Sequence, residues 1–333
     1  GRPAILNYLC AARILKVGGH LFMRGSQVWY NGRIIAAENA KISLFTHGLH
    51  YGFGAFEGIR AYKLKRGGGA IFRLEDHLER LYDSARILDL KIPYSIDELI
   101  RATLAICKEN KFEECYLRHI IFTADGPLGL NHGDNPPVDI AILAWEWGSY
   151  LGDKNVKEGA RLKISSFCRP HVNSIMTKGK ITGQYVVSCL AKREAISQGF
   201  DEALLLDHEG YLAEGSGENI FMVRDGIVKT TPLTSILGGI TRRTVIAYLK
   251  QQGMELVETR FTRDELWCAD EIFLTGTAAE ITPVREIDYR VIGRGQYAGK
   301  PGPLTTQIQK DYRAITRGEL KLPGGKAWLT PVK

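Results

Sequence analysis

An α+β fold in two domains is what the amino-acid sequence predicts, from three observations. The chain has 333 residues, about two domains at roughly 150 residues each, so each half can bury a core without help from metals or disulfides. Strand patterns and helical patterns are segregated in the first half instead of alternating regularly, which separates it from repeated βαβ units. The composition, 44% apolar and 24% charged with 36 glycines and 12 prolines in no collagen-like period, excludes disordered and fibrous classes. Apolar runs such as Val138–Trp145 are far shorter than the roughly 20 residues that a membrane helix requires.

The elements follow in order. Residues 1–26 read as an N-terminal extension: Ala4–Leu15 is apolar behind Arg2, but Asn7, Tyr8 and Arg13 interrupt it and no small-residue cleavage site follows,. A small domain is expected over residues 27–147. It opens with Val28–Tyr30 and Arg33–Ile35 around Asn31-Gly32, the strongest short hairpin signal,. Leu78, Leu81, Tyr82, Ala85 and Leu88 recur at helical spacing after the acidic start Glu75-Asp76, and Asp97–Cys107 repeats the design,. Strands at Cys115–Thr123 and Val138–Trp145 close this half. Residues 148–159, rich in glycine and charge, read as the interdomain loop.

A larger domain is expected over residues 160–333. It runs strand (Arg161–Phe167), helix (Tyr185–Gln198), short strands near Ala203–Asp207, Asn219–Val223 and Ile227–Thr230, helix (Thr241–Gln251), strand (Glu271–Leu274) and a last helix near Leu304–Thr316,.

Charge and cysteine usage narrow the function. There are 44 basic against 37 acidic residues, a net +7, yet the basic residues stand singly or in pairs such as Arg242/Arg243 and never form a stripe. Acidic metabolites are therefore expected as partners, and nucleic acid is not. The six cysteines are scattered without CxxC spacing, which predicts reduced thiols and a cytoplasmic setting.

Several segments carry chemistry. Lys178 and Lys180 lie just before a helix in Thr177-Lys178-Gly179-Lys180-Ile181-Thr182-Gly183-Gln184-Tyr185. A lysine is ordinarily a solvated surface charge, and the spacing alone does not choose between these two. Glu214-Gly215-Ser216-Gly217-Glu218-Asn219 sets carboxylates and glycines before a strand, ordinarily no more than a turn,. In Leu237-Gly238-Gly239-Ile240-Thr241-Arg242 a Gly-Gly turn opens a helix whose first N–H groups are free for an anion,. Gly276-Thr277-Ala278-Ala279-Glu280 is a small, polar loop that lets a ligand approach the backbone,.

Two other classes fare worse. Gly52-Phe53-Gly54 suggests a dinucleotide loop, but Gly58 comes one residue late for G-x-G-x-x-G and no βαβ unit surrounds it,. His47-x-x-His50 suggests a metal pair, but no third ligand accompanies it,.

Taken in order, Glu214-x-Ser-x-x-Asn219-Ile-Phe, Val228-x-Thr230 and Leu237-x-Gly-Ile-x-Arg242 resemble the signature of the class IV, D-amino-acid-aminotransferase-like, pyridoxal-phosphate enzymes. Within that family the chain is most similar to the branched-chain amino acid aminotransferases, through His50-Tyr51-Gly52, Phe56-Glu57-Gly58-Ile59-Arg60, Tyr116-Leu117-Arg118 and Trp147-Gly148-Ser149-Tyr150. The resemblance implies a smaller N-terminal α/β sandwich, a larger C-terminal pseudo-barrel domain, and pyridoxal 5′-phosphate as cofactor. It implies ping-pong transamination of leucine, isoleucine and valine with 2-oxoglutarate, with a D-amino-acid aminotransferase or aminodeoxychorismate lyase as alternatives on the same fold.

It also selects Lys180 as the catalytic, cofactor-linking lysine, because Gly183 and Tyr185 stand at the family's offsets and Lys178 fits neither. Arg80, Ile240, Thr241 and Thr277 would hold the phosphate, Glu214 the pyridine nitrogen and Tyr185 the phenolate oxygen. Tyr51, Phe56, Tyr116, Trp147 and Tyr150 would wall the substrate pocket. Arg118, with Arg60 near it, would meet the γ-carboxylate of glutamate, and the backbone of Thr277 and Ala278 the α-carboxylate. Leu130, in Leu128-Gly129-Leu130, would reach a neighbouring subunit's site, which implies a homodimer or an assembly of dimers. His119 stands where many members carry proline, so a shifted side-chain pocket is expected.

Overall fold

The computed structural model describes residues 14–17, 20–148, 150–322 and 328–332. The apolar run from Ala4 lies outside the described residues up to position 13, as does Ser149. The first half contributes β1 (Ile14–Val17), β2 (His20–Arg24), β3 (Gln27–Tyr30), β4 (Arg33–Ala36), β5 (Gly54–Lys63), β6 (Gly69–Phe72), β7 (Cys115–Thr123) and β8 (Val138–Glu146). Its helices are α1 (His47–Tyr51), α2 (Leu74–Ile87) and α3 (Ile96–Glu109). The second half adds α4 (Asp153–Glu158), β9 (Ala160–Cys168), α5 (Tyr185–Ser197), β10 (Glu202–Leu206), β11 (Leu212–Gly215), β12 (Asn219–Arg224) and β13 (Ile227–Thr230). After these come α6 (Ile240–Gln251), β14 (Leu256–Glu258), α7 (Arg263–Trp267), β15 (Glu271–Gly276), β16 (Glu280–Ile287), β17 (Arg290–Val291), α8 (Pro303–Thr316) and β18 (Leu329–Val332).

Two nine-stranded sheets organise these elements. In the first the order is β1-β2-β8-β7-β5-β6-β18, with β3 joined to β8 and β4 to β3. The hairpin of β3 and β4 turns on Asn31 at φ 45° and Gly32 at φ 87°, the paired left-handed conformations expected of an Asn-Gly turn,. Leu74, Leu78, Leu81 and Ala85 of α2 and Leu99 and Ile106 of α3 bury against Ala55, Ile59, Leu117 and Ile121 of the sheet. Ser95 starts α3 with a capping box to Glu98,. The second sheet runs β11-β10-β9-β16-β15-β12-β13-β14, with β17 on β16. It mixes parallel pairs, such as β9 with β10 and β9 with β16, with antiparallel hairpins.

Several elements differ from the sequence pattern. Ile14–Val17 and His20–Arg24, read as part of an extension, form a hairpin whose second strand pairs with β8. The segment expected as an interdomain loop carries α4. Strand β5 gave no strand signal because it buries Glu57 and Arg60 among its apolar residues. Strand β16 hid behind Pro283, which is tolerated because pairing with β9 begins only at Val284,. Leu329–Val332 leaves the second half altogether and pairs with β6. Among the described residues five cysteines are free thiols, and no helix is long and apolar enough to cross a membrane.

Candidate active site

The site is built on the sheet face opposite α2 and α3. In the ladder of β5 and β7, Gly58 lies across from Arg118 and Arg60 across from Tyr116. Side chains alternate along a strand, so Phe56, Gly58, Arg60, Tyr116 and Arg118 share one face while Glu57 and His119 point to the helices. A Cβ at Gly58 would come within 1.8 Å of the Tyr116 hydroxyl. Only glycine there lets the phenol lie across the strand.

The segment that carries the two lysines is stitched to β5. The Lys180 N–H donates to Ser84 Oγ at 2.9 Å, and the Phe56 N–H donates to the Lys180 carbonyl at 3.0 Å. Gly183 donates to Gly52 O at 3.0 Å, an approach that leaves no room for a side chain on Gly52, which stands at φ 63°. Lys180 Nζ thereby reaches the Tyr185 hydroxyl at 2.6 Å and lies 5.0 Å from the ring centres of Phe56 and Tyr185. Lys178 takes the other direction, with Nζ 3.5 Å from Ile236 O in a separate hollow shared with Arg243. The tertiary arrangement thus separates two lysines that the sequence spacing left equivalent.

Around Lys180, one pocket is lined by Gly58, Arg80, Tyr116, Tyr185, Glu214, Ile240, Thr241, Thr277 and Ala278 among others. At one end α6 begins at Gly239 with no side-chain cap, so the Ile240 and Thr241 N–H groups are available to an anion,. Arg80 joins them. Its guanidinium is held by Glu57 at 2.6 and 2.9 Å and donates to Gly238 O at 3.1 Å. Glu57 is fully buried and also accepts from His77 Nδ1 at 2.7 Å. Burial alone would raise its carboxyl, but Arg80 and then His77 outweigh that and hold it well below the usual carboxylate range,.

At the other end stands Glu214, accepting from Asn219 Nδ2 at 3.1 Å and weakly from the Leu237 N–H at 3.3 Å. Arg169 lies 3.0 Å away, equally buried. Burial pushes Glu214 up, and Arg169 only partly reverses the shift,. Neither Glu57 nor Arg169 was singled out from the sequence, since a charged residue inside a strand or a loop carries no signal of the partner it will meet.

The pocket fits pyridoxal phosphate by the chemistry of its groups. A cradle of N–H donors and a guanidinium suits a phosphate, a central amine suits a carbonyl, and a buried carboxylate suits a protonated ring nitrogen.

Aromatic residues continue the wall. Trp147 packs edge-on against Tyr116 at 4.7 Å and Tyr150 at 5.6 Å. Arg118 stacks 4.6 Å over the Phe56 ring, and its buried Nε makes no hydrogen bond among the described residues. Arg60 is committed elsewhere: it donates to Trp147 O at 3.1 Å and pairs with Glu114 and Glu280, both at 3.8 Å.

Of the expected substrate residues, Tyr51, Phe56, Arg60, Arg118, Trp147 and Tyr150 are not among those that line this pocket, and Leu130, expected at a neighbouring subunit's site, does not line it either. Tyr51 is 44% exposed on α1, with its ring 4.5 Å from that of His47, and Leu130 is 91% exposed. They are neighbours, because His47 Nε2 bonds Gly129 O at 2.9 Å. With its other nitrogen on Thr123 Oγ1 at 2.9 Å, His47 has both ring nitrogens engaged. The expectation that His119 shifts the side-chain pocket is also corrected. Its ring points away from that pocket, fully buried under α3, with Nε2 2.7 Å from Thr103 Oγ1, and burial takes it down to about 3.

The sequence and the fold are similar to those of known proteins. The family model for amino-transferase class IV matches residues 54–287. A branched-chain-amino-acid aminotransferase of Pseudomonas aeruginosa is 47% identical over 310 residues, 93% of this chain and 98% of the relative. The crystal structure of the Escherichia coli branched-chain amino acid aminotransferase superposes with a TM-score of 0.89 at 39% identity, covering 93% of this chain and all of that one. The branched-chain amino acid aminotransferase of Thermobaculum terrenum, in its PLP-bound holo-form, gives 0.83 at 33% identity, covering 93% and 99%. Matched by the family model over most of its length and by relatives over nearly all of it, this chain belongs to the amino-transferase class IV family.

Proposed function

We propose that the enzyme transaminates branched-chain L-amino acids with 2-oxoglutarate, in two half-reactions that use one pocket in turn. The observation that carries this reading is Arg118, whose guanidinium lies on the Phe56 ring beside an otherwise aromatic wall and whose buried Nε has no hydrogen-bond partner among the described residues. A leucine side chain needs only the apolar wall. Glutamate must also place a carboxylate there, and the cation offsets its desolvation.

Pyridoxal 5′-phosphate supplies the electron sink and carries the amino group between the half-reactions. The chain's residues do the rest. Lys180, set beside the substrate by the contacts of its backbone, moves the proton at the substrate α-carbon. Tyr185 fixes the Lys180 Nζ from 2.6 Å. Glu214 keeps the ring nitrogen protonated, and Arg169 opposes the burial that pushes the Glu214 carboxyl up,. Arg80, Ile240, Thr241 and the Thr277 hydroxyl hold the phosphate, while the Thr277 and Ala278 N–H groups orient the α-carboxylate. Phe56, Tyr116, Trp147 and Tyr150 exclude water from the side-chain side. Arg60 acts from behind this wall, through Trp147 O and Glu280.

The active unit in this reading is a homodimer in the cytoplasm. Leu44, Phe45, Leu49 and Leu130 are 80%, 64%, 58% and 91% exposed around α1 and the 128–130 loop, an apolar patch that a second copy would cover. The free thiols support a reducing compartment,. The test follows the cofactor absorption on adding L-leucine, L-glutamate, D-alanine and a chiral primary amine in turn. Conversion by the first two alone is expected, and conversion by D-alanine with none by L-leucine overturns the reading.

A further inference from the structure

Between the Glu214 turn and the Thr277 turn stands Glu218, which has no part in the reaction as described so far. It lines the pocket and is 3% exposed. Two glycines make room for it: a Cβ at Gly215 would come 2.7 Å from Glu218 Oε2, and one at Gly276 would come 3.4 Å from its Cγ. Gly215 follows Glu214 and Gly276 precedes Thr277, so the carboxyl is wedged between the two turns. Its Oε2 also accepts the Gly217 N–H at 3.1 Å.

The groups facing it come from three further elements. Glu202 of β10, wholly buried, faces Glu218 closely enough for its charge to push the Glu218 carboxyl up. Lys192 of α5 pairs with Glu202 Oε2 at 2.6 Å, and Ser216 Oγ donates to Glu202 Oε1 at 2.6 Å. Tyr150, beyond β8, has its ring 5.1 Å from Lys192 Nζ. Two buried carboxyls therefore meet one cation, and that cation touches Glu202. Two desolvated carboxyls that share one cation do not both ionise, and the one that keeps its proton can donate to the other.

We propose that Glu218 is a positioning residue that works in its protonated form, donating to Glu202, tying the Glu214 turn to the Thr277 turn and keeping the wall beside the substrate α-carboxylate uncharged. Burial, and then the Glu202 charge, push its carboxyl up to about 8. Loss of the proton turns the bond to Glu202 into a repulsion. It also sets an anion beside the Thr277 and Ala278 N–H groups. The effect on substrate rests on the reading of those groups as the α-carboxylate site, whereas the protonation of Glu218 does not.

Three measurements on the holoenzyme test this. The infrared spectrum should hold the carbonyl band of a buried protonated carboxyl below pH 8, lost above it and absent in Glu218→Gln. A carboxyl kept neutral by the fold destabilises it increasingly as pH rises from 4.5 towards 8, so the Tm of Glu218→Gln relative to the wild type should climb over that interval and then level off. The KM of a 2-oxo acid, which has no amine to titrate, should rise above pH 8 in the wild type and stay flat in Glu218→Gln, with kcat little changed.

Glu202→Gln, which removes the neighbouring charge, should move the infrared transition to lower pH, so the test survives if Glu218→Gln does not fold. Absence of the band, or a band indifferent to both substitutions, overturns the proposal. The band with a flat wild-type KM overturns instead the assignment of the α-carboxylate to Thr277 and Ala278.

Discussion

The fully buried Glu57 carboxylate grips the Arg80 guanidinium through two of its nitrogens, at 2.6 and 2.9 Å. The arginine assigned to the cofactor phosphate is thus held in place by the protein's own carboxylate. That preorganisation spares the site the cost of ordering a long side chain on binding. Because His77 and Arg80 both bear on Glu57, its loss should be felt in the fold as well as in the pocket.

Glu57→Gln should weaken cofactor binding and lower stability, since removing one partner of a buried pair costs roughly 3–5 kcal/mol at most and the amide keeps part of the contact. The sign with pH follows from the depressed carboxyl. Its contribution is complete above the usual value of 4.5 and fades as pH falls below it towards the native-state value,. Denaturant unfolding of both proteins should show a gap that is constant at neutral pH and narrows on acidification. A gap that widens in acid would contradict the assignment.

Lys180 should carry the label when borohydride is added to the yellow holoenzyme. Lys180→Ala should retain cofactor through Arg80 and the start of α6 but not turn over. A tryptic map with the label on Lys178 would reverse the two lysines.

Glu214→Gln should cost far more in half-reaction rate than in cofactor affinity, because the amide keeps the contact without favouring a protonated ring. Arg169→Met should produce the same kind of loss more mildly, since it lets burial raise Glu214 further. Normal rates in both variants would remove Glu214 from its place at the ring nitrogen.

Arg118→Met should weaken the glutamate and 2-oxoglutarate half-reaction roughly tenfold to a hundredfold, the size of a lost charge-assisted contact. Leucine should be much less affected. Equal losses for both amino acids would make Arg118 a residue that shapes the site and would reopen the D-amino-acid reading.

His119→Leu should leave the ratio of kcat/KM for leucine and glutamate unchanged, whatever it does to stability, because the ring packs under α3 on Thr103. A changed ratio would mean that the two faces of β7 are coupled.

Much of this was legible in the sequence wherever the signal is local. The Asn31-Gly32 hairpin, the stripes of α2 and α3 and the strand Cys115–Thr123 are fixed by turn chemistry and by side-chain period, which neighbouring residues suffice to set. The Glu214, Ile240 and Thr277 turns could be found because glycine and short polar residues mark where a backbone must approach a ligand. The family's offsets then chose Lys180.

What only the tertiary structure decided is partnership across long separations. Glu57 with Arg80, Arg169 with Glu214 and Glu202 beside Glu218 are brought together by packing and not by spacing, so even where Arg80 and Glu214 had roles their partners could not be read along the chain. The same cause separated Lys178 from Lys180 and turned His119 away from the pocket. A strand alternates its faces strictly, yet which face becomes the site depends on what the rest of the chain lays against it.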